Sequence, residues 1–312
     1  MTAKISVVMA SFNGIKFIRE QLDSIRTQTL KPDEVMISDD KSTDGTFEFC
    51  NEYISQNNLT GWHVSQNESN LGVKKNFMRA LSMCTGEYIF TCDQDDIWMN
   101  EKIQCMVSVM DSHPEIKLLA SNYIPVVNGE RINAKVKNIK RDDGSVIQYR
   151  LSDTWLDNMR PGCTYCFRRE LLGKFNVMDI ENQIHDSMLW KYAITSDSLY
   201  LLNRLLILYR RHGDNATKQF NRIPPNVTQR ITNIDDETDM YRQFIDASDG
   251  LAIPESNQKL MKAKINFLTR RKMILAKRNA FSMSLFVMRN FKYYPTARNA
   301  LSDIYVSLFM NR

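Results

Sequence analysis

The chain has 312 residues, of which 43% are hydrophobic, so it can bury a sizeable core in one large domain or one and a half. This composition excludes a disordered or fibrous protein. Because no window offers about 18 uninterrupted apolar residues and MTAKISVVMA lacks the features of a secretory signal, we expect a soluble or peripheral cytoplasmic protein.

The net charge of +5 is unevenly distributed along the chain. Residues 259–312 carry 12 Lys and Arg against one acidic residue, whereas the rest of the chain has a net charge of −6. The basic residues of 259–312 alternate with Leu, Met, Phe and Tyr at helical spacings, which is typical of a helix on an anionic membrane surface. A helical cap with a solvated basic face is the alternative. No nucleic-acid-binding module accompanies the charge, so we expect no nucleic-acid partner.

The six cysteines are scattered, and only Cys163 and Cys166 form a C-x-x-C pair. A zinc site would need a second such pair or a pair of histidines, which the sequence lacks. We therefore expect free thiols.

Apolar periodicity predicts alternating strands and helices in the first 114 residues. The predicted strands begin at residues 4, 33, 63 and 87, and the helices between them cover 15–28, 42–56 and 75–84. This alternation with short connections is typical of an α/β fold, with a mostly parallel central sheet covered by helices on both faces. In such sheets ligands bind beyond the carboxyl ends of the strands.

Beyond Pro114 the pattern is less regular, but it continues to predict strands and helices. Residues 128–153 are polar and are predicted to form a loop or hairpin that carries specificity. Residues 218–258 are predicted to form a linker into helices. The predicted elements are a strand over 117–127, a strand and helix over 162–171, a helix over 184–194 and a strand over 201–209.

Three carboxylates, Asp93, Asp95 and Asp96, end the predicted strand in YIFTCDQDDIW. Carboxylates this close repel one another and lose hydration energy unless a cation joins them. Oxygen ligands of this kind suit Mg²⁺ or Mn²⁺. A solvated acidic turn that caps the following helix is the alternative.

Four motifs fall on this rim of the sheet in a fixed order: ASFNG, ISDDKSTDGT, NLGVKKNF and CDQDDIW. Together they resemble the nucleotide-sugar-binding half of family 2 glycosyltransferases with the GT-A fold. The resemblance covers about residues 4–217, and within the family it is strongest to bacterial enzymes that build surface polysaccharides such as O-antigen or capsule, including rhamnosyltransferase-like ones. It implies a catalytic domain over 1–217, with a nucleotide-sugar half (1–114) and an acceptor half (115–217), followed by a helical C-terminal region over 218–312.

The resemblance assigns several residues to the nucleotide. Ser11 and Asn13 belong to the turn that lines it. Asp40 would recognise the base edge, since a carboxylate can accept a hydrogen bond from N3–H of either uracil or thymine. Asp93 would lie on the ribose side.

The same resemblance places other residues near the diphosphate. Gly72 would allow the backbone to approach closely, and Lys75 would face the phosphates as a point charge, although Lys74 is equally long. In YRRHGDNAT (209–217), a loop expected to close over the donor, Arg210 and Arg211 would form a phosphate clamp.

For the metal, the family pattern implies that Asp95 and Asp96 approach an Mn²⁺ or Mg²⁺ ion bridging the two phosphates. The sequence leaves open which of the two coordinates it directly. His212 would be a third metal ligand or a diphosphate contact, and the alternative is a solvated loop histidine.

The resemblance implies that Asp186 in IHDSMLW is the general base, with His185 replacing a more frequent acidic neighbour. Asp186 could instead be a charge favoured by the helix N-terminus. The expected function is an inverting, metal-dependent glycosyltransferase, which moves a sugar from a UDP- or dTDP-sugar to a hydroxyl of an oligosaccharide or lipid-linked glycan at the inner face of the cytoplasmic membrane. A non-catalytic binding protein and a nucleotidyltransferase remain as alternatives, although no Gly-rich phosphate loop is present.

Overall fold

The computed structural model describes residues 4–127, 129–132, 140–178, 183–212, 226–294 and 296–309. The chain forms two compact units, the first from Met1–Tyr149 and Leu156–Lys218 and the second from Arg150–Trp155 and Gln219–Arg312. The predicted catalytic domain over 1–217, with its two halves, stays a prediction.

The strands of the described residues all belong to one sheet of the first unit. They are β1 (Ile5–Ser11), β2 (Glu34–Asp39), β3 (Trp62–Gln66), β4 (Tyr88–Cys92), β5 (Ile97–Trp98), β6 (Leu118–Val127), β7 (Glu130–Arg131), β8 (Val146–Gln148), β9 (Tyr165–Arg168) and β10 (Leu199–Arg211). Their order is β3-β2-β1-β4-β9-β6-β10-β5, with β7 on β6 and β8 on β10.

The α-helices of the described residues fall in both units. They are α1 (Ile18–Arg26), α2 (Thr46–Gln56), α3 (Val73–Met83), α4 (Lys102–Ser112), α5 (Leu151–Thr154), α6 (Lys174–Val177), α7 (His185–Thr195), α8 (Val227–Asp246), α9 (Ser248–Leu251), α10 (Glu255–Ala276), α11 (Ala280–Asn290) and α12 (Ala297–Phe309).

The first half of the sheet is parallel, as the strand–helix alternation predicts. β1 pairs with β2 and β4, and β2 pairs with β3, all in parallel. A parallel pair needs a crossover helix, and these helices bury the faces of the sheet. The spacing of Ile15, Ile18, Leu22 and Ile25 predicts one buried helix face. Helix α1 buries the last three, whereas Ile15 precedes the helix and is exposed. The predicted α/β fold with a mostly parallel sheet is confirmed.

Strand β9 reverses the sheet between β4 and β6, because it runs antiparallel to both. Tyr88 lies opposite Arg168 and Phe90 opposite Cys166. Continuing this register places Cys163 opposite Asp93, so the segment before β9 lies at the carboxyl end of β4. The Thr91 hydroxyl holds it there by donating to the Gly162 carbonyl at 2.6 Å.

Glu34 ties the start of β2 to its neighbours. Its carboxylate accepts hydrogen bonds from the Ser6 hydroxyl at 2.6 Å and the Gly86 N–H at 3.0 Å, and it pairs with Lys4 at 3.1 Å. Burial opposes ionisation of this group, but the hydrogen bonds outweigh it and lower the pKa of Glu34 to about 2.

The second unit is helical. The polar stretch predicted as a linker is helix from Val227 onward, because it hides an apolar stripe that includes Ile234, Tyr241 and Phe244, all buried. Residues 218–225 of that stretch lie outside the described residues. The Asn226 side chain caps α8 by accepting from the Gln229 N–H at 2.8 Å.

A buried ion cluster joins three helices of the second unit. Asp303 on α12 is fully buried and pairs with Arg230 of α8 at 2.7 Å and with Arg271 of α10 at 2.6 Å. The Tyr294 hydroxyl donates to the same carboxylate at 2.8 Å. Two arginines and a hydroxyl therefore satisfy a carboxylate that would otherwise be costly to bury.

Among the helices of the described residues, none has the length and apolar character needed to cross a membrane. All six cysteines are free, as the sequence predicts.

Candidate active site

A cavity of about 420 Å³ opens at the carboxyl ends of β1, β2 and β4 in the first unit. It is lined by Ala10, Ser11, Phe12, Asp40, Asn70, Gly72, Val73, Asn76, Phe77, Asp93, Gln94, Asp95, Pro161, Gly162, Ile184, His185, Asp186 and Tyr209. Six of the residues singled out from the sequence lie on this wall: Ser11, Asp40, Gly72, Asp93, Asp95 and Asp186.

Asp40 follows β2 and organises the loop in front of α3. One carboxylate oxygen accepts from the Asn67 amide at 2.8 Å and the Leu71 N–H at 2.7 Å, and the other accepts from the Gly72 N–H at 2.9 Å. Gly72 has a φ of +81°, which a residue with a side chain rarely adopts. A carboxylate has about four acceptor sites, so Asp40 can accept one more hydrogen bond from a ligand.

Ser11 and Asn13 stabilise the turn after β1. The Ser11 hydroxyl donates to Asp39 at 3.0 Å. The Asn13 side chain accepts from the Thr43 N–H at 2.9 Å, and its own N–H donates to the Ser42 hydroxyl at 2.9 Å. Asn13 is exposed and does not line the cavity, so its contacts hold the neighbouring loop in place.

Asp96 points away from the cavity and into the protein. It is fully buried, and one of its oxygens accepts from the Arg210 N–H at 2.9 Å. Its second oxygen is buried without a hydrogen-bond partner among the residues that the structure describes. Burial, together with the charges of Asp93 and Asp95, raises the pKa of Asp96 well above its usual range.

Asp93 is the second carboxylate of the motif whose ionised form is disfavoured by its surroundings. Burial raises its pKa, and the negative charges of Asp95 and Asp186 raise it further. Ligand atoms of Asp93, Asp96 and Cys163 lie within 4.8 Å of one another. The motif therefore concentrates negative charge that a cation would relieve.

Asp95 faces the cavity and meets His212 from the end of β10. The Asp95 carboxylate lies 2.7 Å from His212 Nε2. The His212 ring stacks on Phe17 with 4.5 Å between centroids, which fixes its orientation. Two residues proposed as metal ligands from distant parts of the sequence are thus brought together.

These donors fit a divalent cation. Carboxylate oxygens with one imidazole nitrogen suit Mn²⁺ better than Mg²⁺, which prefers an all-oxygen shell. Burial raises the pKa of the Cys163 thiol well above its usual range. Sulfur is also a softer ligand than the oxygen donors that Mn²⁺ and Mg²⁺ prefer.

Lys102 lies behind the carboxylates as a buried cation. Its ammonium group donates to the Cys163 carbonyl at 3.1 Å and lies 4.3 Å from the centroid of the Trp98 ring. Burial lowers the pKa of Lys102 to about 8. Its burial is not evident from the sequence, since a lysine in a helical pattern predicts a solvated side chain.

Gln94 is a site residue that the sequence analysis left without a role. Its side-chain amide donates to the Phe12 carbonyl and accepts from the Phe12 N–H, both at 2.9 Å. These bonds fasten the acidic motif to the turn after β1. A Cβ at position 14 would lie 2.2 Å from the end of the Gln94 side chain, so a larger residue there would displace this amide from Phe12.

Asp186 lies in the first turn of α7 and packs against Gly162. Its carboxylate accepts from the Ser187 N–H at 2.6 Å. A Cβ on Gly162 would lie 2.7 Å from the Asp186 Cβ, so the absence of a side chain at 162 sets the position of Asp186. The glycine stood in GCTYC, but no local signal linked it to a residue 24 positions later.

His185 forms a neutral part of the cavity wall. Its ring is buried and stacks on Phe77 with 3.8 Å between centroids. Burial lowers the pKa of His185 to about 4, so the imidazole is uncharged at neutral pH. Its Nδ1 is buried and has no hydrogen-bond partner among the described residues.

The basic residues expected near the diphosphate lie off the cavity wall. Lys75 is exposed, and Arg211 lies 5.9 Å from the Tyr209 ring. Arg210 pairs with Glu20, and its guanidinium is 5.5 Å from the Phe17 centroid. Residues 213–217 of the predicted closing loop, and 133–139 of the predicted specificity segment, lie outside the described residues.

A mostly parallel sheet with an acidic cavity beyond its carboxyl ends is the arrangement expected of the GT-A class. The chain belongs to glycosyl transferase family 2, whose family model matches residues 6–175. The predicted family and enzyme class are therefore confirmed.

Two relatives share parts of the sequence. The chain is 32% identical over 219 residues to the dTDP-rhamnosyl transferase RfbG of Shigella flexneri, and this match covers 66% of this chain and 72% of RfbG. It is 30% identical over 118 residues to the poly(ribitol-phosphate) β-N-acetylglucosaminyltransferase TarS of Staphylococcus aureus, and this match covers 37% of this chain and 20% of TarS.

A solved structure shares the fold. The crystal structure of S. aureus TarS in complex with UDP-GlcNAc has a TM-score of 0.63 at 20% identity, and the match covers 98% of this chain and 81% of that chain. The predicted GT-A fold is confirmed by this likeness.

Proposed function

We propose that this protein is an inverting, Mn²⁺-dependent glycosyltransferase that moves a sugar from a UDP- or dTDP-sugar to a hydroxyl of a lipid-linked glycan, in the synthesis of a cell-surface polysaccharide. The observation that carries the proposal is that Asp93, Asp95 and Asp186 line one cavity beyond the strand ends. This gives the reaction a cation-binding group and a candidate base in the same space.

The base of the nucleotide would bind at Asp40. The remaining acceptor site of this buried carboxylate suits N3–H, which uracil and thymine share. The relatives support both nucleotides, since RfbG is a dTDP-rhamnosyl transferase and TarS has been solved with UDP-GlcNAc. Ser11 would face the nucleotide and Asp93 the ribose.

Asp95 and His212 would hold the metal ion directly. Asp95 faces the cavity and lies 2.7 Å from the His212 ring, whereas Asp96 is turned inward toward the Arg210 N–H. A bound divalent ion supplies the positive charge that stabilises the departing nucleoside diphosphate. Asp96 would then act by fixing the end of β10, which carries His212.

Asp186 would be the general base. It would take the proton of the acceptor hydroxyl while that oxygen bonds to the anomeric carbon, and the bond from this carbon to the diphosphate breaks on the other face. Attack opposite the leaving group inverts the anomeric centre. Gly162 supports this role, because it allows Asp186 to approach the cavity.

Release of nucleoside diphosphate from a panel of nucleotide sugars, with Mn²⁺ and then with Mg²⁺, tests the proposal. We expect release with one UDP- or dTDP-sugar and greater activity with Mn²⁺. Release of pyrophosphate would indicate a nucleotidyltransferase. If no donor is turned over, the protein would be a binding protein. Transfer that survives Asp186→Asn unchanged would contradict the assignment of the base.

The two neighbouring aspartates offer a matched pair of variants. We expect Asp95→Asn to lower Mn²⁺-dependent turnover by about 100-fold or more, because it removes a direct ligand, and Asp96→Asn by about tenfold, because it changes only a supporting group. Turnover measured against Mn²⁺ concentration checks this. The reverse order of the two losses would show that Asp96 is the ligand.

A further inference from the structure

Helix α11 in the second unit carries two apolar faces. Its inner face buries Met283, Phe286 and Val287. On the opposite face, at spacings of four and three residues, stand three large apolar side chains that are 74%, 40% and 78% exposed: Phe281, Leu285 and Met288. An exposed apolar stripe on a helix that already has a buried one needs a partner to explain it.

Helix α12 repeats this arrangement. It buries Ala300 and Val306 on one face, and the opposite face again shows large side chains at spacings of four and three residues. These are 64%, 51% and 51% exposed: Leu301, Tyr305 and Leu308. Phe291, which follows α11 directly, is also 51% exposed. We name the exposed side chains of residues 281–308 the α11–α12 face.

The surroundings of the α11–α12 face are positively charged. Between residues 277 and 309 the only acidic residue is Asp303, and it is buried and paired with two arginines. Five exposed cations belong to the same stretch: Lys277, Arg278, Arg289, Lys292 and Arg298. Their charge is therefore not cancelled by any acidic residue of these helices.

We propose that the α11–α12 face docks on an anionic lipid bilayer, with both helices lying along the membrane surface. Phe, Leu, Met and Tyr side chains would enter the boundary between headgroups and acyl chains, and the cations would contact anionic headgroups. Helices of 11 and 13 residues cannot span a bilayer, which needs about 20.

Charge decides between a membrane and a second copy of the chain. A symmetric dimer through this face would bring five cations of each copy against five of the other, which disfavours association. An anionic surface instead complements them. Docking through this face would bring the enzyme to the membrane that holds a lipid-linked acceptor. The docking itself does not depend on the proposed function; only the biological reason for it does.

Flotation of the full chain with lipid vesicles tests the proposal. We expect the protein to float with vesicles of phosphatidylcholine and phosphatidylglycerol at low salt, at least about tenfold more than with phosphatidylcholine alone. High salt should weaken this binding, because it screens the cations.

Three variants separate the contributions. The double variant Met288→Asp, Leu301→Asp should lose at least about tenfold in vesicle binding, since it puts charge into the inserted face. The double variant Arg289→Gln, Lys292→Gln should bind less and with a weaker salt dependence. Leu30→Asp, which changes an exposed leucine of the first unit (37% exposed), is the matched control and should float like the wild type.

Vesicle binding by a correctly folded Met288→Asp, Leu301→Asp variant at the wild-type level would overturn the proposal, with circular dichroism as the check on folding. A second set of results would also overturn it: light scattering that shows an oligomeric wild type and a monomeric variant, together with no binding of the wild type to vesicles. The α11–α12 face would then join two copies of the chain. Donor turnover in solution reports on the proposed function separately, and it should be unchanged in all three variants.

Discussion

Asp95 and Asp96 show how two adjacent carboxylates acquire different environments. Asp95 turns to the cavity and meets His212, while Asp96 is fully buried and accepts from the Arg210 N–H. The sequence could not separate them, because both follow a strand in a turn where side-chain direction no longer alternates regularly. The sequence did indicate that the carboxylates lie at the carboxyl-end edge of the sheet, because a buried strand ends where its apolar run stops.

Gly162 offers a test of how Asp186 is positioned. We expect Gly162→Ala to lower the kcat of sugar transfer at least about tenfold with little change in the KM for the donor, because the new methyl group would displace the Asp186 side chain. Steady-state kinetics measure this. Gly173→Ala is the control, since a Cβ there meets nothing within 4 Å. Equal effects of the two variants would refute a positioning role.

His185 makes stability depend on pH. Its folded pKa of about 4 lies below the ordinary 6.5, so the unfolded state takes up the proton first as pH falls, and stability is lost between pH 6.5 and 4. Between pH 7 and pH 5 the wild type should lose about 2 kcal/mol more unfolding free energy than His185→Phe, which keeps a ring against Phe77 and cannot titrate. Urea unfolding at both pH values measures the difference, and parallel losses would contradict it.

Of three contributors to the site, Gln94 and Gly162 were not recognised from the sequence, and His185 was noted only as a departure from the family pattern. Each acts through a contact with a distant segment: Gln94 with Phe12, Gly162 with Asp186, and His185 with Phe77. Residue type and local spacing carry no record of such contacts. Carboxylates at strand ends are recognisable because their chemistry is unusual wherever they stand.

At the level of secondary structure, the predictable part was the alternation of strands and helices before Pro114. The direction of β9 was not predictable, because a short apolar run looks the same in a parallel and an antiparallel strand. The two-residue strand β5 was missed for lack of length, and α8 was hidden in a polar stretch with a sparse apolar stripe.

Glu34 is expected to stabilise the junction of β1, β2 and the turn before β4. Because its pKa is lowered from 4.5 to about 2, the stabilisation is complete above pH 4.5 and is lost as pH falls through about 2. Glu34→Gln should therefore lower the free energy of unfolding by about 2–3 kcal/mol at pH 7 and by clearly less at pH 3. Urea titrations at the two pH values measure this, and an effect independent of pH would contradict it.

On the scale of the whole molecule, charge is divided between a basic C-terminal region and an acidic remainder. The one acidic residue of that region, Asp303, is used inside the second unit, where Arg230 and Arg271 pair with it. The outer surface of its last helices keeps its cations as a result. The sign of this charge can be read from the sequence, but the pairing of Asp303 inside the unit cannot.

Asp303→Asn should destabilise the second unit by about 3–5 kcal/mol, because it leaves two largely buried arginines without their anion. Calorimetry of the full chain should show a lower transition temperature for that unit. Asp239→Asn is the control, since its pair with Arg242 is exposed, and it should change stability by less than about 1 kcal/mol. Similar losses in both variants would show that burial of the cluster contributes nothing.

The register of β9 against β4 has an evolutionary consequence. Between β6 and β9 the chain adds β7 to the edge of β6 and β8 to β10, and it then returns beside β4 in a fixed alignment. Residues can be inserted or deleted between β7 and β8 while this alignment with the carboxylates of the cavity is kept. Under the proposed function, the stretch predicted to carry specificity could therefore change in length or sequence during evolution while the carboxylates of the cavity keep their places.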